Sequence, residues 1–303
     1  MRENTEQAYK ERVLRVLVYI QQHLDETIEL DTLARIAHFS SYHFHRLFRG
    51  MVGESVMEHV RRLRLERAAH RLKFGDQPVT RIAFEAGYET HEAFSRAFRA
   101  MFDQSPSLFR DAHQAMPFRA APSDVHFVTD GNIKDFRAAR ETKPLDVRIE
   151  SLAPMRVAFT RHVGPYSECG AAWEKLMPWA GRAGLLIGRP RILGIVHDDP
   201  DITPPQKVRY DACLVVERDF ETQGEIGMQE IPGGDYALTT HRGPYDMLSI
   251  TYGRLLGHWL PASGREPRST PGFEIYQNSP AHTAPADLLT DIYIPLTDQE
   301  NQP

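Results

Sequence analysis

The pattern Phe-x-Arg-x-Phe occurs twice in this chain, as Phe44-His45-Arg46-Leu47-Phe48 and as Phe94-Ser95-Arg96-Ala97-Phe98, 50 residues apart (94 − 44). Each copy follows a short run with small residues at matched places. These runs are Leu33-Ala34-Arg35-Ile36-Ala37-His38-Phe39-Ser40 and Ile82-Ala83-Phe84-Glu85-Ala86-Gly87-Tyr88-Glu89. They are offset by 49 (83 − 34), so the second copy holds one extra residue in its turn. The alanines let one helix approach another closely. Phe44, Leu47 and Phe48, like Phe94, Ala97 and Phe98, recur at the i, i+3, i+4 spacing of an inward helical stripe. The duplication predicts two helix–turn–helix units on one polypeptide. The second helix of such a unit fits the major groove of duplex DNA and offers side chains to base edges.

The flanks complete an all-helical region. Val13, Leu14, Leu17, Val18 and Ile20 give residues Tyr9 to Leu24 a helical spacing. Asp31 is expected to cap the helix that follows it, and Ser40 or Ser41 the next one, which Gly53 ends. Glu54-Ser55 opens a long helix to about Phe74, broken by Gly75-Asp76-Gln77-Pro78, and Gln104-Ser105-Pro106 begins a short last one. The outward positions of the first reading helix are Ser41, Tyr42, His45, Arg46 and Arg49. Those of the second are Thr90, His91, Glu92, Ser95, Arg96 and Arg99. These eleven are the candidate DNA-contacting residues.

From about Ala8 to Arg110 the chain resembles the arabinose-regulator (AraC/XylS) DNA-binding domain. The resemblance rests on Leu33-Ala34-x-x-Ala37-x-x-Ser40 and on Phe98-Arg99-x-x-Phe102-x-x-Ser105-Pro106-x-x-Phe109-Arg110. It implies seven helices and two recognition helices entering successive major-groove segments on one DNA face. Two departures stand out: Asp103 follows Phe102 where the family usually has glycine, and Ser41 stands where proline or lysine is common.

Residues 113–145 read as a linker or a domain edge, where Pro117, Pro122, Gly131 and Pro144 interrupt weak strand-like pieces such as Val125-His126-Phe127-Val128. A second duplication follows. His162-Val163-Gly164-Pro165-Tyr166 recurs as His241-Arg242-Gly243-Pro244-Tyr245, offset by 79 (241 − 162). A strand-like stretch precedes each copy (Arg156 to Thr160, Tyr236 to Thr240) and a helix-like one follows (Ala171 to Trp179, Leu248 to Trp259). Two further strands then pair off by repeat: Ile192 to Val196 with Phe273 to Tyr276, and Asp211 to Val216 with Asp291 to Leu296. A βαββ unit occurring twice predicts an α+β domain with pseudo-twofold symmetry and a cleft between its halves. The His-x-Gly-Pro-Tyr copies read as strand-to-helix turns, with their histidines capping or packing.

Residues from about Asp146 to Leu296 resemble the gyrase-inhibitor-like effector-binding domain. That resemblance implies a small molecule, often cationic or aromatic, bound between the repeats against one buried glutamate. Glu274 matches it, and its symmetry mate is Gly194, an acid facing a gap. A carboxylate among Phe273, Ile275 and Tyr276 loses hydration, and a bound cation would restore a partner. Glu274 is therefore expected in the cleft without a fixed lysine or arginine beside it. Tyr276, Tyr166, Trp173, Tyr245, Tyr252 and Tyr293 are the candidate aromatic walls.

Charge agrees with two unlike parts. The net charge is −5, yet Arg35 to Asp111 holds more lysine and arginine than aspartate and glutamate, and the remainder is acidic. Two cysteines, Cys169 and Cys213, suggest neither a disulfide framework nor a zinc site, and a reducing cytoplasm is the expected compartment. No apolar run approaches the ~20 residues of a membrane span, and the N-terminus does not read as a signal peptide. No phosphate loop, nucleophile elbow or metal-ligand cluster occurs. The chain thus reads as a multidomain protein: an all-α double helix–turn–helix domain (1–112), a linker (113–145), and an α+β effector domain of two βαββ repeats (146–303). The expected partners are double-stranded DNA, a small-molecule effector and RNA polymerase, with no membrane, cofactor, metal or catalytic residue. Two other readings stay open: a hydrolase using Glu274 as general base, and a module that docks another protein.

Overall fold

The computed structural model describes residues 2–112, 120–139, 144–188, 190–217, 220–222 and 224–298. The chain falls into two compact units, Gln7–Arg140 and, in the main, Glu141–Pro303.

Among the described residues seven helices precede the first strand, the number the family resemblance implies. They are α1 (Arg2–Gln22), α2 (Leu30–Ile36), α3 (Ser41–Val52), α4 (Val56–Phe74), α5 (Val79–Glu85), α6 (His91–Phe102) and α7 (Pro106–Asp111). The two helix–turn–helix units are α2–α3 and α5–α6. Four residues (37–40) separate the first pair and five (86–90) the second, which is the single insertion inferred from the sequence. Each turn needs one left-handed residue. Gly87 supplies it in the second (φ 82°), whereas His38 adopts it in the first (φ 54°). A side chain there is strained and His38 is exposed, so His38→Gly should raise the unfolding free energy by roughly 0.5–1 kcal/mol, measurable by urea denaturation. Asp103 is a third such place (φ 59°), ending α6 where glycine is usual in the family.

The repeated stripes form the cores. Phe44, Leu47, Phe48, Phe94 and Phe98 are at most 1% exposed. Behind α6 the rings of Phe98, Phe102 and Phe109 lie within 5.3 Å of one another. Helix α4 opens with a full capping box: Ser55 Oγ accepts from the Glu58 amide, and Glu58 accepts from the Ser55 amide. Asp31, expected as a cap, instead lies inside the first turn of α2, whose N-cap is Glu29. Its carboxylate accepts from the Ser41 hydroxyl at 2.6 Å and bridges α2 to α3.

At the foot of α4, Glu54 is 11% exposed and meets His59 Nδ1 at 2.7 Å and Arg62 Nε at 3.1 Å. Burial alone would raise its pKa. The hydrogen bonds and charges of His59 and Arg62 outweigh burial and hold the carboxyl at about 2, below the usual 4.5. A group depressed in the folded state stabilises above its unfolded pKa and loses that stability as pH falls through the folded value. Wild type should therefore lose on the order of 3 kcal/mol between about pH 4.5 and about pH 2 through this group. Chemical denaturation across that range should show a shallower slope for Glu54→Gln.

Residues 120–139, read as a linker or a domain edge, pack on the helical unit. Ala121, Ser123, Val125 and Phe136 are at most 5% exposed, and the Val125-His126-Phe127-Val128 stretch forms no strand. The remaining linker residues 113–119 and 140–143 lie outside the described residues.

The second unit is one eight-stranded antiparallel sheet. Its strands are β1 (Arg148–Leu152), β2 (Met155–Val163), β3 (Ile192–Val196), β4 (Arg209–Val215), β5 (Ile226–Ile231), β6 (Gly234–Arg242), β7 (Phe273–Tyr276) and β8 (Leu289–Pro295). Helix α8 (Gly170–Arg182) follows β2. After β6 come α9 (Leu248–Arg254), a π-helical stretch (Leu255–Trp259) and α10 (Leu260–Ser263). The strand order β1-β6-β8-β7-β3-β4-β2-β5 reads the same from either end once the repeats are exchanged. The pseudo-dyad therefore passes between β3 and β7. Edge strands β1 and β5, which the sequence did not suggest, are crossed over: β1 pairs with β6 and β5 with β2.

Candidate functional site

Register across the dyad fixes which side chains share a face. Gly194 stands opposite Glu274 on one side and Ala212 on the other, and Glu274 stands opposite Ile292. These four point to one face, that of α8, whose buried Leu176 and Trp179 pack with Ala212 and Tyr210. Two residues along, Tyr210 and Tyr276 point to the same face by strand alternation.

Glu274 is 5% exposed. Tyr252 from α9 donates to one carboxylate oxygen at 2.9 Å, and Tyr276 donates to the other at 2.9 Å. The Tyr276 hydroxyl also meets that of Tyr210 at 2.9 Å, so a polar chain from Tyr210 to Tyr252 crosses the dyad. Burial, with the Glu274 charge added, pushes Tyr276 well above its ordinary pKa, and burial does the same for Tyr210. Both hydroxyls stay protonated and able to donate. Burial followed by the Glu274 charge also raises Cys169, at the N-terminus of α8, and Tyr245. Cys169 and Cys213 are both free thiols.

Aromatic rings surround this chain. Tyr245 and Trp173 meet Tyr276 edge-on at 5.6 and 6.2 Å, and Tyr166 meets Tyr210 edge-on at 6.1 Å. Tyr166 is fixed by a hydrogen bond from its hydroxyl to the Asp198 carbonyl (2.7 Å). Tyr166, Trp173 and Tyr245 remain partly exposed and form a rim. The repeated histidines close their turns: His162 Nε2 lies 3.0 Å from the Pro165 carbonyl and His241 Nε2 lies 3.2 Å from that of Pro244.

The structure thus gathers Glu274, Tyr276, Tyr166, Trp173 and Tyr245, but not Tyr293. Tyr293 is the register partner of Phe273, not of Glu274, and so lies on the opposite face. There it stacks on Phe273 at 4.6 Å and packs near Tyr236, a core position. The space expected above Gly194 is also occupied. A Cβ there would fall 2.4 Å from the Tyr210 hydroxyl and 2.5 Å from that of Tyr276. Tyr252, also expected as a wall, is brought in through its bond to Glu274, and Tyr210 is the residue missing from the sequence-based set. Glycine beside a strand carrying a tyrosine was the available signal for Tyr210.

On the helical unit, the second reader presents its candidates as expected. Thr90, Glu92, Arg96 and Arg99 are exposed, and His91 and Ser95 partly so. Thr90 is also the N-cap of α6, its hydroxyl accepting from the Ala93 amide at 3.1 Å. The first reader differs. Ser41 and Arg49 are exposed and Tyr42 partly so, but His45 is 1% and Arg46 7% exposed. The Arg46 guanidinium lies 5.6 Å over the Tyr42 ring, a cation–π contact that holds it along the helix.

Two helix–turn–helix units and a duplicated α+β sheet with an acid at its centre define a DNA-binding regulator with a small-molecule domain. Comparison with known proteins agrees. Residues 145–297 match the GyrI-like small molecule binding domain, and residues 33–112 match a helix-turn-helix domain. The right origin-binding protein of Escherichia coli K12 is 30% identical over 297 residues, covering 93% of this chain and 96% of that protein. The probable transcriptional regulator YgiV of the same organism is 31% identical over 154 residues, covering 50% of this chain and 96% of its own. Among solved structures, the EcmrR C-terminal domain shows 21% identity and a TM-score of 0.42, covering 51% of this chain and 98% of that one. The chain belongs to the AraC-type transcription regulators that carry a GyrI-like small-molecule-binding domain. No helix among the described residues is long and apolar enough to cross a membrane.

Proposed function

We propose that this regulator senses an aromatic or lipophilic cation at Glu274 and passes the signal to promoter DNA held by α3 and α6, acting with RNA polymerase in the cytoplasm. The observation that carries the reading is a nearly buried carboxylate on the pseudo-dyad, ringed by Tyr252, Tyr276, Tyr245 and Trp173. A cation entering over the rim gains a Coulomb partner in a region of low dielectric and ring faces for cation–π contact. Both carboxylate oxygens already accept tyrosine hydroxyls, which suits holding a charge better than activating water for hydrolysis.

The test is a matched pair of probes. N-methylquinolinium should raise the melting temperature of the full chain, neutral quinoline should not, and the cation should be recovered chemically unchanged after incubation. Equal shifts from both probes, or conversion of the cation, would remove the reading. On the DNA side, Arg96→Ala should weaken binding to a duplex selected by the wild-type chain. The expected loss is about 1–3 kcal/mol if the guanidinium reads a base edge, measured by fluorescence anisotropy at fixed salt.

A further inference from the structure

The segment 120–139 is held to the helical unit by side chains of α1 and α4. Glu66 on α4 is fully buried. It accepts from the Phe127 amide (2.7 Å) and from Arg62 (3.0 Å), and lies 3.0 Å from His126 Nδ1. Arg62 also donates to the Val125 carbonyl at 2.8 Å. Gln21 on α1 clamps two further backbone groups, donating to the His126 carbonyl (2.7 Å) and accepting from the Val128 amide (3.3 Å). Phe136 is 3% exposed, with Lys10 lying 5.8 Å over its ring. The segment closes on itself where the Arg137 amide donates to the Ser123 carbonyl at 2.8 Å. Its end is tied by the Ala139 amide, which donates at 2.8 Å to the carbonyl of Met51 in the last turn of α3.

Each of these ties runs to α1, α3 or α4. Helix α4 also backs the second reader, so the tie particular to the first reader is the last one, which seizes the C-terminal end of the first reading helix. A buried glutamate serving three donors is costly to strand, so the strap is bound firmly and not merely draped. We propose that Glu66 and Gln21 are positioning residues for DNA recognition. Acting through the strap, they set the angle of α3, so that whatever pulls on the chain beyond Ala139 is felt by the first reader and not by the second.

The experiment uses the full chain and a duplex that the wild-type protein selects from a randomised pool, with no small molecule present. Footprints of Arg49→Ala and Arg96→Ala assign the half-sites under α3 and α6. Glu66→Ala should then lose protection at the α3 half-site alone, with total affinity falling about tenfold. Glu66→Gln, which keeps an acceptor for the Phe127 amide, should retain most of that protection. Ala139→Pro removes the donor to Met51 and also fixes the local backbone; it should repeat the one-sided loss in a folded protein, so it decides the matter if Glu66→Ala unfolds. Equal loss at both half-sites, or an unchanged footprint in folded Glu66→Ala or Ala139→Pro, would overturn the proposal. With no effector in the assay, that failure leaves the reading of the Glu274 site untouched.

Discussion

Glu274→Gln should leave the α+β unit folded and reduce affinity for N-methylquinolinium by about tenfold to a hundredfold, while weak binding of neutral quinoline is unchanged. The amide keeps an oxygen to accept from Tyr252 or Tyr276, so the polar chain loses charge more than shape. What disappears is the attraction between a cation and a nearly buried carboxylate, worth a few kcal/mol at the effective dielectric of a protein interior. Isothermal titration reads this directly, and near-ultraviolet circular dichroism checks the fold. A mutant that unfolds would show Glu274 to be a structural acid. A mutant that binds the cation as tightly as wild type would leave the aromatic rim as the sole recognition element.

Phe98→Ala should cost about 3–5 kcal/mol and disable the second reader. Phe98 is fully buried and stands at the centre of an aromatic cluster, 4.5 Å from Phe102, 5.2 Å from Phe109 and 5.5 Å from Phe94. Removing it empties space that four elements (α4, α5, α6 and α7) share, with Leu65, Leu72 and Ile82 on the other walls. Urea denaturation should place the midpoint well below wild type. Footprinting at low temperature should show the α6 half-site lost before the α3 half-site. A loss below about 1 kcal/mol would mean that α6 is not held by this cluster.

The two duplications were legible because each repeats a mechanical requirement. The stripe Phe44–Phe48 and its copy Phe94–Phe98 must point inward for any pair of short helices to pack, and they do. The six repeated inner strands announced themselves as largely apolar runs recurring in matched order. Edge strands β1 and β5 did not, because Arg148–Leu152 and Ile226–Ile231 are only partly covered and carry mixed side chains. Glu274 could be chosen from its neighbours, but Tyr293 could not be excluded without the register that pairs it with Phe273. The strap was invisible for a different reason. Its backbone is held by Gln21, Arg62 and Glu66, over 60 to 100 residues away in sequence (for example 127 − 66), and no periodicity records such bonds.

The crossed edge strands carry a historical reading. A single βαββ chain with its own leading strand, meeting a second copy and lending that strand to it, would build this same eight-stranded order as a strand-exchanged homodimer. In such a dimer the positions now held by Gly194 and Glu274 would be one residue, facing its own copy directly across the axis. Two glutamates there would repel in a nearly dry row, and two glycines would leave no acid at all. Because both copies lie in one chain, one strand can keep the carboxylate while its neighbour is reduced to glycine, which leaves room for Tyr210 and Tyr276. The single chain holds one acid at a place where exact twofold symmetry would require two or none.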